Sequence, residues 1–371
     1  MITNQKSIYC MVTNDLNQDQ RMHRICTSFL KLGYKVVLIG RTKSNSTPLL
    51  NFHFLQKRLS CWFQQGFLFY AEFNIRLFFF LLFKKTDIIY AVDLDTIAAG
   101  GLLKLFKQKR LVFDAHEYFT ETPELIKRKN IKKIWKIIGD LFVPMADHMI
   151  TVNDSLADLF GKYYKRKFVC IYNVASKISE WDPPYDPVRP YLLYQGMLNE
   201  GRGLVELIDA MEMINGLDLY IIGEGDLSAS LRKRAANGPS SSNIHFLGWQ
   251  SPLEMKKYTL GASLGINLLE NTSLSYYYSL ANKFFDYMHS GVPSVNMDFP
   301  EYHKIITQYK TGTIISDLDK NCISSHINGL ISDPTTLNAM KQHCLAAKEY
   351  YNWEKEEKKL FEMLKENEFT L

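Results

Sequence analysis

Residues 195–204, Gln-Gly-Met-Leu-Asn-Glu-Gly-Arg-Gly-Leu, close a short apolar run and open an amphipathic one. A glycine-bearing turn from strand to helix, with Arg202 at the helix entrance, suits a phosphate: backbone N–H groups, the helix dipole and a guanidinium fork all face an anion. A plain tight connection uses the same glycines. A second set lies at 272–288, where a hydroxyl-rich loop with Tyr278 and Ser279 precedes a helix beginning near Asn282. Lys283 in its first turn runs against the dipole preference for acids there, a placement that makes sense when an anion shares the site. Asp286, one turn deeper, suits sugar hydroxyls as hydrogen-bond donors, or is simply a solvated first-turn acid. In the other half, His116 and Glu117 directly follow the apolar run Leu111–Asp114, and Asp93-Leu94-Asp95 follows Asp87–Val92.

Short apolar runs alternating with longer amphipathic ones must position these groups, the pattern of βαβ units and a parallel sheet. In the first half the expected strands are Ser7–Val12, Lys35–Ile39, Asp87–Val92, Leu111–Asp114, His148–Val152 and Phe168–Tyr172; the expected helices are Arg21–Leu32, Phe67–Phe83, Leu94–Phe106, Ile131–Val143 and Ser155–Phe160. A segment over 176–190 with Pro183, Pro184, Pro187 and Pro190 reads as a linker. The alternation then restarts, with strands at Tyr191–Gln195, Leu217–Ile222, Ile244–Phe246, Leu264–Leu268, Ser294–Met297 and Thr313–Ile315, and with helices at Val205–Met213, Ser228–Ala236, Pro252–Tyr258 and Asn282–Ser290. The chain has 371 residues, more than one core uses, since single cores stop growing beyond roughly 250–300 residues. The expected organisation is two Rossmann-like doubly wound α/β domains, 1–175 and 191–345. Pro334–Leu371 reads as one or two helices, of which the last, 346–371, is expected to return to the first domain. Ligands of such sheets bind at the carboxyl ends of the strands, so a cleft between the two domains is expected to hold the chemistry.

The net charge of +5 is unevenly placed: residues 1–175 carry 26 of the 44 Lys and Arg and 14 of the 39 Asp and Glu, a net +12, and the remainder nets −7. Much of the excess sits in 127–136 (KRKNIKKIWK) and 162–167 (KYYKRK). Ile131, Ile134, Trp135 and Ile138 share one helical face, with Lys132, Lys133 and Lys136 opposite. Both a solvated surface helix and a basic amphipathic helix resting on anionic lipid fit that pattern. No nucleic-acid motif accompanies the charge. Phe67–Phe83 is strongly apolar but contains Glu72, Asn74 and Arg76, so a buried helix is expected rather than a span of about 20 apolar residues. The six cysteines show no C-x-x-C spacing, which argues against a zinc site or a disulfide framework and fits a reducing compartment. No secretory signal is read at the N-terminus.

In order and spacing, YQGMLNEGRGLVELIDAM, LYIIGEGDL, IHFLGW and NKFFDYMHSGVPSV resemble the donor domain of GT-B glycosyltransferases, most closely retaining glycosyltransferase family 4. NDLNQDQRMHRICTSFLKLGYKVVLIGR, YAVDLDT and FDAHEYFTETPEL resemble the first half of bacterial members that build surface polysaccharides. The resemblance implies that Arg202 and Lys283 face the donor diphosphate and that Gly196 and Gly223-Glu224-Gly225 lie close to the nucleotide. Asp286 stands where the second Glu of the family's E-x7-E motif binds the ribose. Tyr278 replaces the first Glu, and Met197 replaces an arginine common in the first glycine turn. Tyr278, Ser279 and Asn282 are thereby expected in the donor site. His116 is expected near the transferred sugar, and Asp15, Asp19, Arg21, Asp93 and Glu117 near the acceptor. Asp93-Leu94-Asp95 also resembles the metal-holding Asp-x-Asp of the other large glycosyltransferase fold, but that fold needs one nucleotide-binding domain where two read here, so no metal is expected.

The resemblance thus implies a retaining, metal-independent transferase with no cofactor. It would move a sugar from a UDP- or GDP-sugar to a saccharide or lipid-linked saccharide. The expected location is cytoplasmic, with the basic first half suited to the anionic inner face of a membrane. The same fold also serves sugar-nucleotide epimerases, which need no acceptor, and a non-catalytic nucleotide-binding partner of another transferase fits the replaced motif positions. No nucleic-acid partner is expected.

Overall fold

A computed structural model describes residues 5–177 and 183–365. Residues 178–182 of the expected linker and 366–371 of the last segment lie outside the described residues. The chain divides into two compact units, 1–173 together with 356–371, and 174–355.

The first unit runs β1 (Ser7–Met11), α1 (Gln20–Lys31), β2 (Lys35–Arg41), β3 (Leu55–Leu59), α2 (Gly66–Leu82), β4 (Ile88–Val92) and α3 (Asp93–Lys107). It continues β5 (Arg110–Ala115), α4 (Pro123–Ile126), α5 (Lys129–Phe142), β6 (His148–Thr151), α6 (Asp154–Tyr164) and β7 (Val169–Cys170). Its seven strands form one sheet in the order β3-β2-β1-β4-β5-β6-β7, and every pair is parallel. A parallel sheet covered on both faces calls for near-continuous apolar strands, and β1 (SIYCM) and β4 (IIYAV) are buried along their whole length. β3 (LQKRL) was not foreseen, because as an edge strand it carries Gln56, Lys57 and Arg58 and lacks that signature.

Two expectations about helices change. In α2, Phe69, Phe73, Leu77 and Leu81 form the buried stripe, while Leu68, Ile75 and Phe79 are exposed, so the helix is half-buried rather than enclosed. Its polar residues are fastening points. Asn74 donates to Asp95 O at 2.7 Å and accepts from Ala99 N at 3.0 Å, tying α2 to α3. In α5, Trp135 and Gly139 are the buried residues, and Ile134, which shares the apolar face with Trp135, is exposed, so that face is only partly in the core. Phe142 comes close enough to α3 that a Cβ on Gly101 would stand 2.2 Å from its ring.

The second unit runs β8 (Tyr191–Gln195), α7 (Leu204–Ala210), β9 (Asp218–Ile222), α8 (Ser228–Asn237), β10 (Ile244–Gly248), α9 (Pro252–Gly261), β11 (Leu264–Asn267) and α10 (Leu274–Tyr277). Then follow α11 (Asn282–His289), β12 (Ser294–Met297), α12 (Pro300–Tyr309), β13 (Gly312–Ile315), α13 (Lys320–Ile331) and α14 (Pro334–Ala347). The six strands are parallel in the order β10-β9-β8-β11-β12-β13. α10, α12 and α13 are additions to the expected set, α10 forming within the expected hydroxyl-rich loop. The last helix, α15 (Trp353–Lys365), belongs from Glu356 onward to the first unit. There Glu356 accepts from Tyr172 N at 3.0 Å and Glu357 accepts from Ser28 and Lys31.

Candidate functional site

In the second unit the strand order reverses between β8 and β11, the switch point where sheets of this kind bind ligands. β8 is followed by Gly196 at φ +133°, and β9 by Gly223 at φ +135°. A Cβ on Gly223 would stand 1.9 Å from Gly196 O, and one on Gly225 would stand 2.3 Å from Asn199 Oδ1. The two loops are therefore laid backbone against backbone, with Gly196 N donating to Ile222 O at 2.9 Å. Glu224 between those glycines is exposed and pairs with Arg232 at 2.7 Å; a hydrogen bond from Ser228, and then Arg232, hold its carboxyl below the usual range.

Lys283 reaches this turn from the first turn of α11. Only 8 % exposed, its ammonium stands 3.6 Å from the centre of the Tyr194 ring, and a Cβ on Gly196 would lie 3.4 Å from Nζ. Burial pushes the Lys283 pKa well down, the Arg202 charge pushes the same way, and Asp286 only partly opposes them. Arg202 lies with its guanidinium 5.1 Å from the centre of the Tyr276 ring, and its buried Nε has no hydrogen-bond partner. Among the described residues neither cation has an ion pair. Asp286 accepts from Gln195 Nε2 at 3.0 Å, and Gln195 Oε1 in turn accepts from Thr259 at 2.8 Å. Tyr278 caps the short α10, Ser279 donates to Tyr276 O at 2.7 Å, and Asn282 is exposed at the start of α11. Gly196, Lys283 and Asp286 thus gather at the end of β8, with Arg202 close to Lys283, while Tyr278 and Ser279 contribute to the short α10 turn. Sequence reasoning missed the aromatic supports Tyr194 and Tyr276, although Tyr194-Gln195 immediately precedes the glycine turn.

The first unit reverses its strand order between β1 and β4. Asp114 at the end of β5 is fully buried and collects Arg21 Nη2 at 2.9 Å, Arg21 Nε at 3.1 Å, Tyr90 Oη at 2.7 Å and His116 Nε2 at 3.0 Å. Burial would raise its pKa, but Arg21 and His116 outweigh that and hold it well below the usual carboxylate range. Burial likewise opposes protonation of His116, yet Asp114 and Asp93 leave its pKa raised. Asp93 opens α3 at φ +54° and accepts from His116 N at 2.8 Å. Burial lifts its pKa well up, Asp95 and Glu117 add to that, and His116 opposes. Asp95, buried under a hydrogen bond from Thr13, is pushed up to about 6. A pocket beside this cluster is lined by Asp93, Ala115, Glu117, Tyr118, Phe160 and Tyr164.

Arg21 needs correcting. Expected to meet an acceptor, it is 3 % exposed, and its third nitrogen donates to Ile171 O at 2.8 Å, so its guanidinium is occupied inside the unit. Asp19 is the N-cap of α1, accepting from Met22 N at 3.0 Å and Asn14 Nδ2 at 2.6 Å. Asp15 is half-buried, its carbonyl accepting from Arg58 at 2.7 Å, and Glu117 is exposed. Asp114 and Tyr90 were not foreseen; the only signal was a carboxylate closing an otherwise apolar strand.

The sequence pattern of the glycosyl transferases group 1 matches residues 189–333, and that of glycosyltransferase family 4 matches residues 18–175. The chain is a GT-B glycosyltransferase of family 4 type. Solved structures share the fold of this glycosyltransferase at low identity. Sucrose-phosphate synthase from Thermosynechococcus elongatus aligns with a TM-score of 0.80 at 14% identity, over 98% of this chain and 99% of that one. Anabaena HepE in complex with UDP and glucose gives 0.75 at 13% identity, over 97% and 99%. WaaG, a glycosyltransferase involved in lipopolysaccharide biosynthesis, gives 0.71 at 15% identity, over 95% and 98%. A sequence search of the curated proteins finds no match.

Proposed function

We propose that this glycosyltransferase moves a hexose-type sugar, with retention, from a UDP- or GDP-sugar to a saccharide or lipid-linked saccharide in surface-polysaccharide synthesis, working at the inner face of a membrane. One observation carries the donor assignment: two cations, Arg202 and Lys283, lie close enough to repel, Lys283 against Gly196, with no ion pair of their own among the described residues. Such a pair is at its most stable when an anion of about two charges lies between them, and a nucleoside diphosphate supplies one. HepE, bound to UDP and glucose in its crystal, makes a uracil nucleotide the first donor to try.

Breaking the bond between sugar and diphosphate builds negative charge on the leaving oxygen. Preorganised cations and N–H dipoles stabilise that charge most when they are held in place beforehand. Tyr194 under Lys283 and Tyr276 under Arg202 fix the two cations without neutralising them. They supply the charge that a divalent metal supplies elsewhere, so turnover persists in chelator. The acceptor hydroxyl attacks on the face the phosphate leaves and passes its proton to that phosphate. Asp286 holds the ribose, and His116 with Asp93 belongs to the sugar and acceptor side. The test is a thermal-shift panel of UDP-, GDP-, ADP- and TDP-sugars followed by turnover against a lipid acceptor extract, with product anomers read by NMR. Arg202→Ala abolishes both responses. Unchanged turnover in that variant, or product formed with no acceptor, sinks the assignment.

A further inference from the structure

α2, α3 and α5 are joined along one surface of the first unit, and their outward sides are apolar. On α2 and its C-cap, Ile75, Phe79 and Phe83 follow one another at helical spacing, Phe79 at 56 % and Phe83 at 82 % exposure. On α3, Leu105 and Phe106 are exposed, the latter at 70 %, and on α5 Ile137 and Leu141. The patch is continuous: the Phe78 ring touches Phe106 at 5.6 Å and Phe79 at 5.4 Å, and Phe142 of α5 sits on Gly101 of α3. A helix apolar on every side belongs in a core or in lipid, and α2 has only one side in the core. Among the described residues no helix is long and apolar enough to cross a membrane.

The rim supplies the charge. Lys84 and Lys85 follow α2 and are exposed, and Lys107 of α3 donates to Leu81 O at 3.3 Å, which brings the two helix ends and their basic residues together. α5 adds exposed Lys133 and Lys136, the latter 5.5 Å from the centre of the Tyr163 ring. The acids of α2 and α5 are engaged: Glu72 accepts from Trp62 N, Phe63 N and Arg76, and Asp140 accepts from Tyr163 Oη at 2.7 Å. Trp62, 85 % exposed, stands beside Arg76 at the start of this surface, the placement that indole rings take at a membrane–water boundary.

We infer that the joined outer faces of α2, α3 and α5 are the surface by which the enzyme docks on an anionic bilayer, with the aromatic residues in the headgroup–acyl boundary and the lysines on lipid phosphates. A second copy of the chain is the competing occupant, but a self-complementary contact would set the α5 lysines of both copies near one another, whereas an anionic membrane complements them. The inference gives a surface to the membrane location proposed above and does not depend on the sugar chemistry.

The test is flotation of the full chain with vesicles of phosphatidylcholine alone or with phosphatidylglycerol, with no donor or acceptor present. Wild type floats with the anionic vesicles and much less with the neutral ones. Lys133→Gln/Lys136→Gln weakens binding about 30-fold, at the strength expected per basic residue near a charged surface. Phe79→Ser/Phe106→Ser/Leu141→Ser weakens it about 100-fold or more, while the control Lys233→Gln/Lys358→Gln changes it less than about threefold. Circular dichroism checks that each variant is folded. Brominated lipid quenches Trp62 in wild type, and Trp62→Phe removes that part of the quenching, a reading that stands even if the triple variant fails to fold. Equal flotation of wild type and both patch variants overturns the inference. So does a dimer in light scattering that the triple variant makes monomeric while wild type leaves the vesicles unbound. Loss of turnover with intact flotation fails only the proposed function, and loss of flotation with intact turnover fails only the docking surface.

Discussion

Replacing Lys283 by Met should move stability and ligand binding in opposite directions. The ammonium is buried on the Tyr194 ring, repelled by Arg202 and only partly offset by Asp286. Cation–π attraction returns about 1–2 kcal/mol of the desolvation cost, and methionine keeps most of the volume and a sulfur–aromatic contact. Replacing incompletely compensated buried charge with apolar volume is commonly neutral or stabilising, so the free enzyme gains about 1 kcal/mol. Bound nucleotide loses one charge-assisted hydrogen bond, about 2 kcal/mol, or about 30-fold in Kd. At a ligand concentration of about 100 times the wild-type Kd, the ligand stabilises wild type by about 2.7 kcal/mol and the variant by about 0.9 kcal/mol. At about 3 °C per kcal/mol for a unit of this size, the free variant melts about 3 °C higher than wild type. The nucleotide-induced rise shrinks from about 8 °C to about 3 °C. The sign of the pH dependence follows: a base whose folded pKa lies below its unfolded value penalises the fold most at low pH and is relieved as pH climbs toward the ordinary lysine value. The advantage of the variant should therefore fade in alkali. Differential scanning fluorimetry with and without UDP-sugar reads all of this. A free variant that melts well below wild type, with its nucleotide response intact, would make Lys283 a structural lysine and refute the reasoning.

Asp114→Asn strips the buried Arg21 of its counter-charge and should destabilise the first unit by about 3–5 kcal/mol; a loss under about 1 kcal/mol in urea titration contradicts the network described. His116 has a raised folded pKa, so its contribution to stability is complete below the ordinary histidine value of about 6.5 and is lost as pH rises through the raised value. His116→Gln should flatten that decline in a pH series of thermal melts. Gly223→Ala combines a φ of +135° with a Cβ 1.9 Å from a carbonyl oxygen and should cost about 3 kcal/mol or more. Gly66→Ala, at φ +73° with nothing within 4 Å, should cost only about 1–2 kcal/mol by the same melts.

The doubly wound pattern was legible because buried parallel strands are near-continuously apolar, and β1, β4, β8 and β9 are all buried from end to end. β3 escaped because an edge strand need not be. Of the proposed donor site, what local order sets was legible: Gly196 follows a strand, Lys283 opens a helix and Asp286 lies one turn on, at turns that announce themselves. What sequence could not give was pairing at a distance. Arg21 and Asp114 are 93 positions apart, and nothing local says that they meet. Read alone, Arg21 looked like a hand extended to a ligand; its buried carboxylate makes it a structural member. The inner side of α5 was left open, because a stripe of isoleucines says that a face is apolar and not what covers it.

α15 has a consequence for biosynthesis. Residues 174–355 form one uninterrupted stretch, so the second unit has all its sequence once that stretch leaves the ribosome, whereas the first unit lacks the helix that caps Tyr172, Ser28 and Lys31 until residues beyond Glu356 emerge. Domains usually fold as they appear, the N-terminal one first. Here the earlier-made unit is the later completed, and a released chain ending at residue 355 should hold a finished second unit and a first one still open to proteases.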